Sequence, residues 1–376
     1  MKRIWLLLII LAGLAVKADQ AAANCFAWGN LVGYAPTLSP KPKLVDVDLW
    51  DPWGMAFLPG GSFVVADSYV GKSTVYDGAG NKSKDFSIPL PMGSALPHSL
   101  PTGLVANLNA QLFNGAQFIY STIEGTIISW DGTTSPGVAV DNSANGAVYY
   151  GLAIGNNTKG TFLYATNFHT GTIDVFDSSF NSVPLGGSSI AGTFTDPKIP
   201  GGATCDPTKP KTTCYAPFGI ANIRGNLFVT YAPQGLDKIQ FAFGKSKGYV
   251  DIFDTNGKLI KNLASKKQLN APWGVAEAPA NFDTFRGDIL VGNFGDGKIS
   301  AYDPGSAAYK GQLYDASTKK TMVIAGLWAL VFGGAQASDP GTLYFTARLS
   351  ETMFSGGFGP ITPQSATQCA MGGIPY

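Results

Sequence analysis

The sequence predicts an all-β protein built as a six-bladed β-propeller with four-stranded blades. One phrase recurs six times at intervals of 48 to 68 residues: DPWGMAF at 51, LPTGLVA at 100, VYYGLAI at 148, APFGIAN at 216, APWGVAE at 271 and AGLWALVF at 325. Each copy is followed by a second apolar strand: SFVVAD, QFIYST, TFLYATN, NLFVTY, DILVGN and TLYFTA. Most units then add a third strand, such as GTIDVFDS or GYVDIFDT, and a weaker fourth, such as KLIKNLAS. Four strands per unit at a period near fifty is the pattern of propeller blades. Composition agrees: charged residues are 14%, while 47 Gly and 24 Pro supply many tight turns between short strands. Markers for the units are Gly54, Gly103, Gly151, Gly219, Gly274 and Trp328.

The chain begins MKRIWLLLIILAGLAVKADQ, with a basic end at Lys2 and Arg3 and an apolar run from Ile4 to Val16 too short to span a bilayer. We read residues 1–18 as a secretory signal cleaved after Ala18, with Ala21 to Ala23 as a second option, and residues 19–42 as an N-terminal extension. Residues 43–376 then form a single propeller domain. No later stretch has the length and apolarity of a transmembrane segment, so the expectation is an exported protein, periplasmic or extracellular. A net charge of +1 gives no pull towards nucleic acid. A monomer is expected.

The last unit lacks a clear fourth strand, and KLVDVDL at 43–49 has no blade of its own. Placing it in the last blade beside the C-terminal GFGPITP closes the ring and leaves no free sheet edge. Four cysteines in an exported chain suggest two disulfides, with three possible pairings. Cys205 and Cys214 flank a short loop, which leaves Cys25 and Cys369, one near each end. Ring closure brings that second pair together, and the chain-entropy model assigns such a bridge roughly 4–5 kcal/mol at most.

The order of the repeats resembles NHL-type propellers. PWGMAF, VVADS, YATNFHTGTIDVFDSSF, APFGI, GYVDIFDTNGKL, LNAPWGVAEAPANF, ILVGNFGDGKISAYDP and GLWALVF resemble more closely an exported, uncharacterised bacterial family of NHL-like six-bladed propellers. The resemblance runs from about Val45 to about Phe358 and implies fold and export, with no established activity. The cysteines and two inserts in unit four depart from the family pattern.

In a propeller the bend before strand one and the bend after strand two lie on one face. The PWG turns are the first kind and NFHTG at 167–171 the second. Aligned on the markers, Asp67, Ser121, Asn167 and Asn293 are equivalent, as are Glu124, Thr170 and Asp296. Both histidines of the chain, His98 and His169, fall on this face. So do the unit-four inserts, at about 196–215 and 233–247, which carry Lys198, Lys209, Lys211, Lys238, Lys245 and Lys247. Long loops of this kind often bind ligands or partners.

Each candidate has a plain structural reading too. Asx side chains at 67, 167 and 293 bond their own turns; His169 caps NFHTG, and His98 is simply exposed. Trp53, Trp273 and Trp328 are wedges between blades, and the lysines a solvated surface. The leading functional expectation is a module that binds a small molecule, glycan or protein on the PWG face. Its funnel candidates are Asp67, Asn167, His169, Asn293, Asp296, Glu124 and His98. One alternative is a metal-assisted hydrolase of lactone or ester type, holding a divalent cation such as calcium on Asp67, Asn167 and Asn293. Tyr231 and Thr346 near the equivalent places in other blades argue against it. The other alternative is a structural envelope or matrix protein. No catalytic residue is assigned, since no G-x-S-x-G, H-E-x-x-H or phosphate-loop motif occurs.

Overall fold

A computed structural model of the chain describes residues 25–57, 62–202, 204–333, 340–350 and 355–372. The signal peptide and both cleavage options lie outside the described residues.

The fold is an all-β propeller. Five four-stranded antiparallel sheets follow one another along the chain. They begin with the strands Pro52–Phe57, Pro101–Ala106, Tyr149–Asn157, Tyr215–Ile223 and Pro272–Glu277. In each, the first strand is innermost and the fourth outermost. The gradient follows the sequence. Second strands such as Phe63–Asp67, Phe118–Thr122 and Ile289–Asn293 are buried at every position, because both sheet faces meet a neighbouring blade. The outer strand Lys82–Ser87 reads KSKDFS and is largely exposed.

The sixth expected blade is not a four-stranded sheet, and this corrects the sequence reading. Leu327–Phe332, Leu343–Arg348 and Gly356–Pro363 belong to an eight-stranded sheet. Its innermost strand packs between those of the fifth and first sheets, so the ring is continuous. The closing strand also differs. It is Cys25–Trp28, which pairs antiparallel with Gly356–Pro363 (Phe26 opposite Pro363, Trp28 opposite Ile361). On its other side it runs parallel to Tyr314–Asp315. Leu44–Val45 is one strand removed, parallel to Val32–Gly33, which itself pairs with Gly356–Pro363. The segment read as an extension is therefore part of the sheet. The reason is apolar: Phe26 is fully buried and stacks on Phe282 at 5.0 Å between ring centroids. Val45 and Val47 are exposed by contrast, at 50% and 66%.

Both disulfides form as expected, Cys25–Cys369 and Cys205–Cys214, with Cα separations of 5.9 and 5.7 Å. Two such bridges fit an oxidising, exported environment. No helix among the described residues is long and apolar enough to cross a membrane.

The recurring glycine has a packing cause. A Cβ on Gly54 would lie 2.5 Å from the Thr102 carbonyl oxygen, one on Gly151 2.8 Å from that of Phe218, and one on Gly274 2.4 Å from that of Trp328. In each case the obstacle is the backbone of the next innermost strand, so the glycines set how closely the blades approach. Hydroxyls then tie the ring together: Thr102 Oγ1 donates to the Tyr149 carbonyl at 2.8 Å, and Thr166 Oγ1 to that of Phe218 at 2.8 Å. The last unit's equivalent is Ala329 rather than the marker Trp328. Ala329 N donates to Thr346 Oγ1 at 3.0 Å as Gly219 N does to Thr230 Oγ1 at 2.8 Å. The tightest of the recurring glycines is Gly219, where a Cβ would sit 2.1 Å from the Trp273 carbonyl oxygen. Gly219→Ala is expected to cost about 2–3 kcal/mol of stability, as overpacking against backbone does. Urea unfolding against a Gly137→Ala control, where nothing lies within 4 Å and φ is not positive, checks it.

Candidate functional site: the PWG face and its aromatic plug

The turns place the expected polar residues on one face, but each is engaged locally. Asn167 Oδ1 accepts from Val148 N at 3.3 Å, and its Nδ2 donates to Asp174 Oδ2 at 2.9 Å. Asn293 Oδ1 accepts from Asn270 N at 3.1 Å, while its Nδ2 donates to the Gln268 carbonyl and to Asp296 Oδ1. Asp296 also pairs with Lys298 at 3.2 Å. Glu124 Oε1 accepts from Leu100 N at 2.7 Å, and burial raises its pKa. His169 Nδ1 lies 2.5 Å from the Gly146 carbonyl oxygen, bridging to the neighbouring loop. His98 Nδ1 lies 3.0 Å from the Ser99 carbonyl oxygen.

Asp67 is fully buried and takes a 2.8 Å bond from Thr74 Oγ1; its Oδ1 has no partner. Burial pushes its pKa well up, and the nearby Asp46 and Asp48 push the same way. Those two aspartates belong to the segment beside the first blade, where they pair with Lys82. Asp67 thus faces that seam, away from the Asx turns of the other blades.

This donor set does not fit a divalent cation. Two of the three proposed ligands spend both side-chain atoms on hydrogen bonds to the adjoining loop and strand, and the third is a buried carboxyl with a raised pKa. Among the described residues no group of three or more His, Cys, Asp or Glu side chains is placed to hold an ion.

The centre of the face is held by aromatic side chains, which corrects the interblade-wedge reading of the tryptophans. Trp53 stacks on Trp328 at 3.5 Å and on Tyr150 at 5.2 Å, and meets Phe218 and Trp273 edge-on. These rings come from the first, third, fourth, fifth and sixth innermost strands, so they meet at the axis and plug it. Phe241, from the second unit-four insert, completes the plug against Phe218 at 4.7 Å and Phe294 at 5.0 Å. Asp51 organises the indoles: its Oδ2 accepts from Trp53 Nε1 at 3.0 Å and its Oδ1 from Trp328 Nε1 at 3.1 Å. Burial raises the Asp51 pKa against the pull of Arg348, whose Nε lies 3.8 Å away. The Arg348 guanidinium also lies over the Phe294 ring at 4.9 Å.

Above the plug is a shallow cavity of about 310 Å³, lined by Asp51, Tyr69, Leu100, Tyr150, Phe243 and Arg348 among others. Asp51, Arg348 and Phe241 were missed in the sequence. The available signal was Asp51, an acid directly before the first PWG, which takes a left-handed φ of 51° there.

Ring, plug and rim define a β-propeller with a closed centre on this face. The chain belongs to the family of two uncharacterised proteins of Acanthamoeba polyphaga mimivirus. It is 30% identical to Uncharacterized protein R648 over 321 residues, 82% of this chain and 74% of that protein. It is 30% identical to Uncharacterized protein L690 over 319 residues, 81% of this chain and 78% of that protein. No family model matches the chain. Among solved structures it is similar to a streptogramin B lyase (12% identity, TM-score 0.44, 85% of this chain and 96% of that one). It is also similar to a chain of a nidogen/laminin complex (14% identity, TM-score 0.48, 77% and 86%). Likenesses at this level carry nothing about activity.

Proposed function

We propose that the chain is an exported binding module: a six-bladed propeller, its last blade enlarged, that engages a protein partner through the PWG face. A cleaved signal at residues 1–18 and kinship with the exported bacterial propeller family belong to this reading. The observation that carries it is the second unit-four insert. Phe241 packs half-buried against the plug, Tyr150 Oη donates to the Ile239 carbonyl at 2.9 Å, and Gln234 Nε2 donates to the Phe168 carbonyl at 2.6 Å. A loop pinned at three points nevertheless leaves Leu236 74%, Phe243 48% and Ile239 43% exposed. Lys238, Lys245 and Lys247 stand among them. Fixed apolar side chains ringed by cations suit a partner surface that is apolar at its centre and acidic at its rim.

Photocrosslinking tests it. Benzoylphenylalanine in place of Phe243 is expected to capture a discrete partner in the native host, while the same group in place of Leu108 on the opposite face is not. Equal capture from both positions, or none from 243, would refute the reading.

A further inference from the structure

Between two fixed points the head of the chain is held differently from the rest of the ring. Cys25–Trp28 is anchored by its disulfide and its sheet, and Pro52–Phe57 by the first sheet. Segment 43–48 lies between them. Three backbone bonds tie it to the chain behind it: Lys43 N donates to the Asn30 carbonyl at 3.1 Å, Leu44 N to that of Leu31 at 3.1 Å and Asp46 N to that of Gly33 at 3.0 Å. Its pairing with Val32–Gly33 is two residues long, and Leu44–Val45 is an edge strand of the eight-stranded sheet. Apolar packing adds little, since Leu44 is half-buried and Val45 and Val47 face solvent. A groove of about 480 Å³, lined by Leu44, Val45, Val47, Gly80 and Asn81 among others, runs between the segment and the first sheet.

Charge spans that groove. Lys82 Nζ lies 3.1 Å from Asp46 Oδ1 and 2.7 Å from Asp48 Oδ2, and Lys72 Nζ lies 2.9 Å from Asp48 Oδ1. Tyr76 Oη donates to Asp46 Oδ2 at 2.8 Å. Both lysines and the tyrosine belong to the two outer strands of the first sheet, Lys72–Tyr76 and Lys82–Ser87. Asp85 stands 3.7 Å from Lys72 and 3.3 Å from Lys82, so three carboxylates share two cations. Asp46 is buried, and a buried carboxylate that loses its cation is strongly disfavoured. The lysine side chains are 31% and 30% exposed, so ions from solvent reach the network.

We infer that residues 43–48 are a salt-sensitive latch, held onto the first sheet through Lys72 and Lys82. High ionic strength screens the pairs and the segment opens locally. The ring stays closed, because its seam rests on apolar contacts of Leu31, Leu49, Tyr344 and Phe358 that salt does not screen. Opening uncovers the carbonyls of Asn30, Leu31 and Gly33, a sheet edge able to pair with an extended segment of another chain. No residue of the proposed partner surface takes part, so either reading stands without the other.

Hydrogen exchange on the full mature chain, read by mass spectrometry, tests this. Raising sodium chloride from about 20 mM to about 1 M is expected to speed exchange at Lys43, Leu44 and Asp46 by about fivefold, the worth of a small network of exposed pairs. Exchange in the outer strand Leu259–Ser265 of the fourth sheet is expected to stay unchanged. Lys82→Met removes the cation shared by Asp46 and Asp48; it is expected to give fast exchange at both salt concentrations, with Lys82→Arg restoring the wild-type pattern. Exchange at 43–46 that ignores salt in the wild type would overturn the latch, and this measurement does not depend on a variant folding. A Lys82→Met protein that still responds to salt as the wild type does would also overturn it, as would an equal rise along the whole chain.

Discussion

Replacing Cys25 and Cys369 together by serine is expected to lower the unfolding free energy by on the order of 5 kcal/mol, the largest effect of any change considered for this chain. The bridge spans 344 positions of sequence, so it removes a large share of the unfolded chain's freedom. It also ties the Cys25–Trp28 strand into its slot between Gly356–Pro363 and Tyr314–Asp315. Cys205–Cys214 spans only 9 positions, and its double serine variant is expected to lose about 3 kcal/mol or less. Guanidinium unfolding of the two variants side by side gives the comparison. Equal losses would mean that loop length is not what the first bridge controls.

The second large effect is a pH dependence centred on Asp251. This residue lies on the third strand of the fourth sheet, Tyr249–Asp254. Its Oδ1 accepts from Asn262 Nδ2 at 2.8 Å, but its Oδ2 is buried and unpartnered. Burial raises its pKa to about 7; the Asp196 carboxylate adds to the rise, while the Asn262 bond and Lys198 oppose it. A carboxyl whose folded pKa exceeds its unfolded value holds its proton more tightly in the folded state. Its contribution to stability is thus full below about pH 4 and is lost as pH rises through 7. Three units correspond to on the order of 4 kcal/mol. Asp251→Asn should therefore flatten the wild-type decline over this range and be the more stable protein above pH 7. Urea midpoints from pH 4 to 8 decide it, and parallel profiles would show that Asp251 does not titrate there. Asp67, Asp51 and Glu124 have raised pKa values as well, so only the difference between variant and wild type isolates this site.

The ring was legible in the sequence because two of its requirements act on single positions. The approach of neighbouring innermost strands leaves no room for a Cβ at Gly54, Gly151 or Gly219, and burial on both sheet faces forces continuous apolar second strands. The closing strand was harder to see. CFAW is four residues long, and its partners lie at the far end of the chain, so no local period announces it. The longer KLVDVDL looks the more strand-like of the two, yet its valines face solvent. The plug was hidden for another reason. Trp53, Tyr150, Phe218 and Trp273 sit beside the marker glycines, but a repeat gives position along a blade and not the direction a ring points. Phe241 lies in an insert with no counterpart in other units. For the Asx residues the sequence shows position but not partners: Asn167 and Asn293 are held by local hydrogen bonds that depend on exact geometry, and Asp67 lies against Asp46 and Asp48.

The order of the closing strands has a consequence for how the molecule is made. Cys25–Trp28 is the first described strand to leave the ribosome, and its antiparallel partner Gly356–Pro363 is the last. Until that partner appears, the five regular sheets can stack only as an open arc, with the first and fifth exposing their unmatched sides. The head of the chain must wait, unpaired and carrying a free thiol, for nearly the whole of synthesis. Any holding factor that acts on the nascent protein would meet it as an unfinished horseshoe, and the bond at Cys369 would mark the moment at which it becomes a ring.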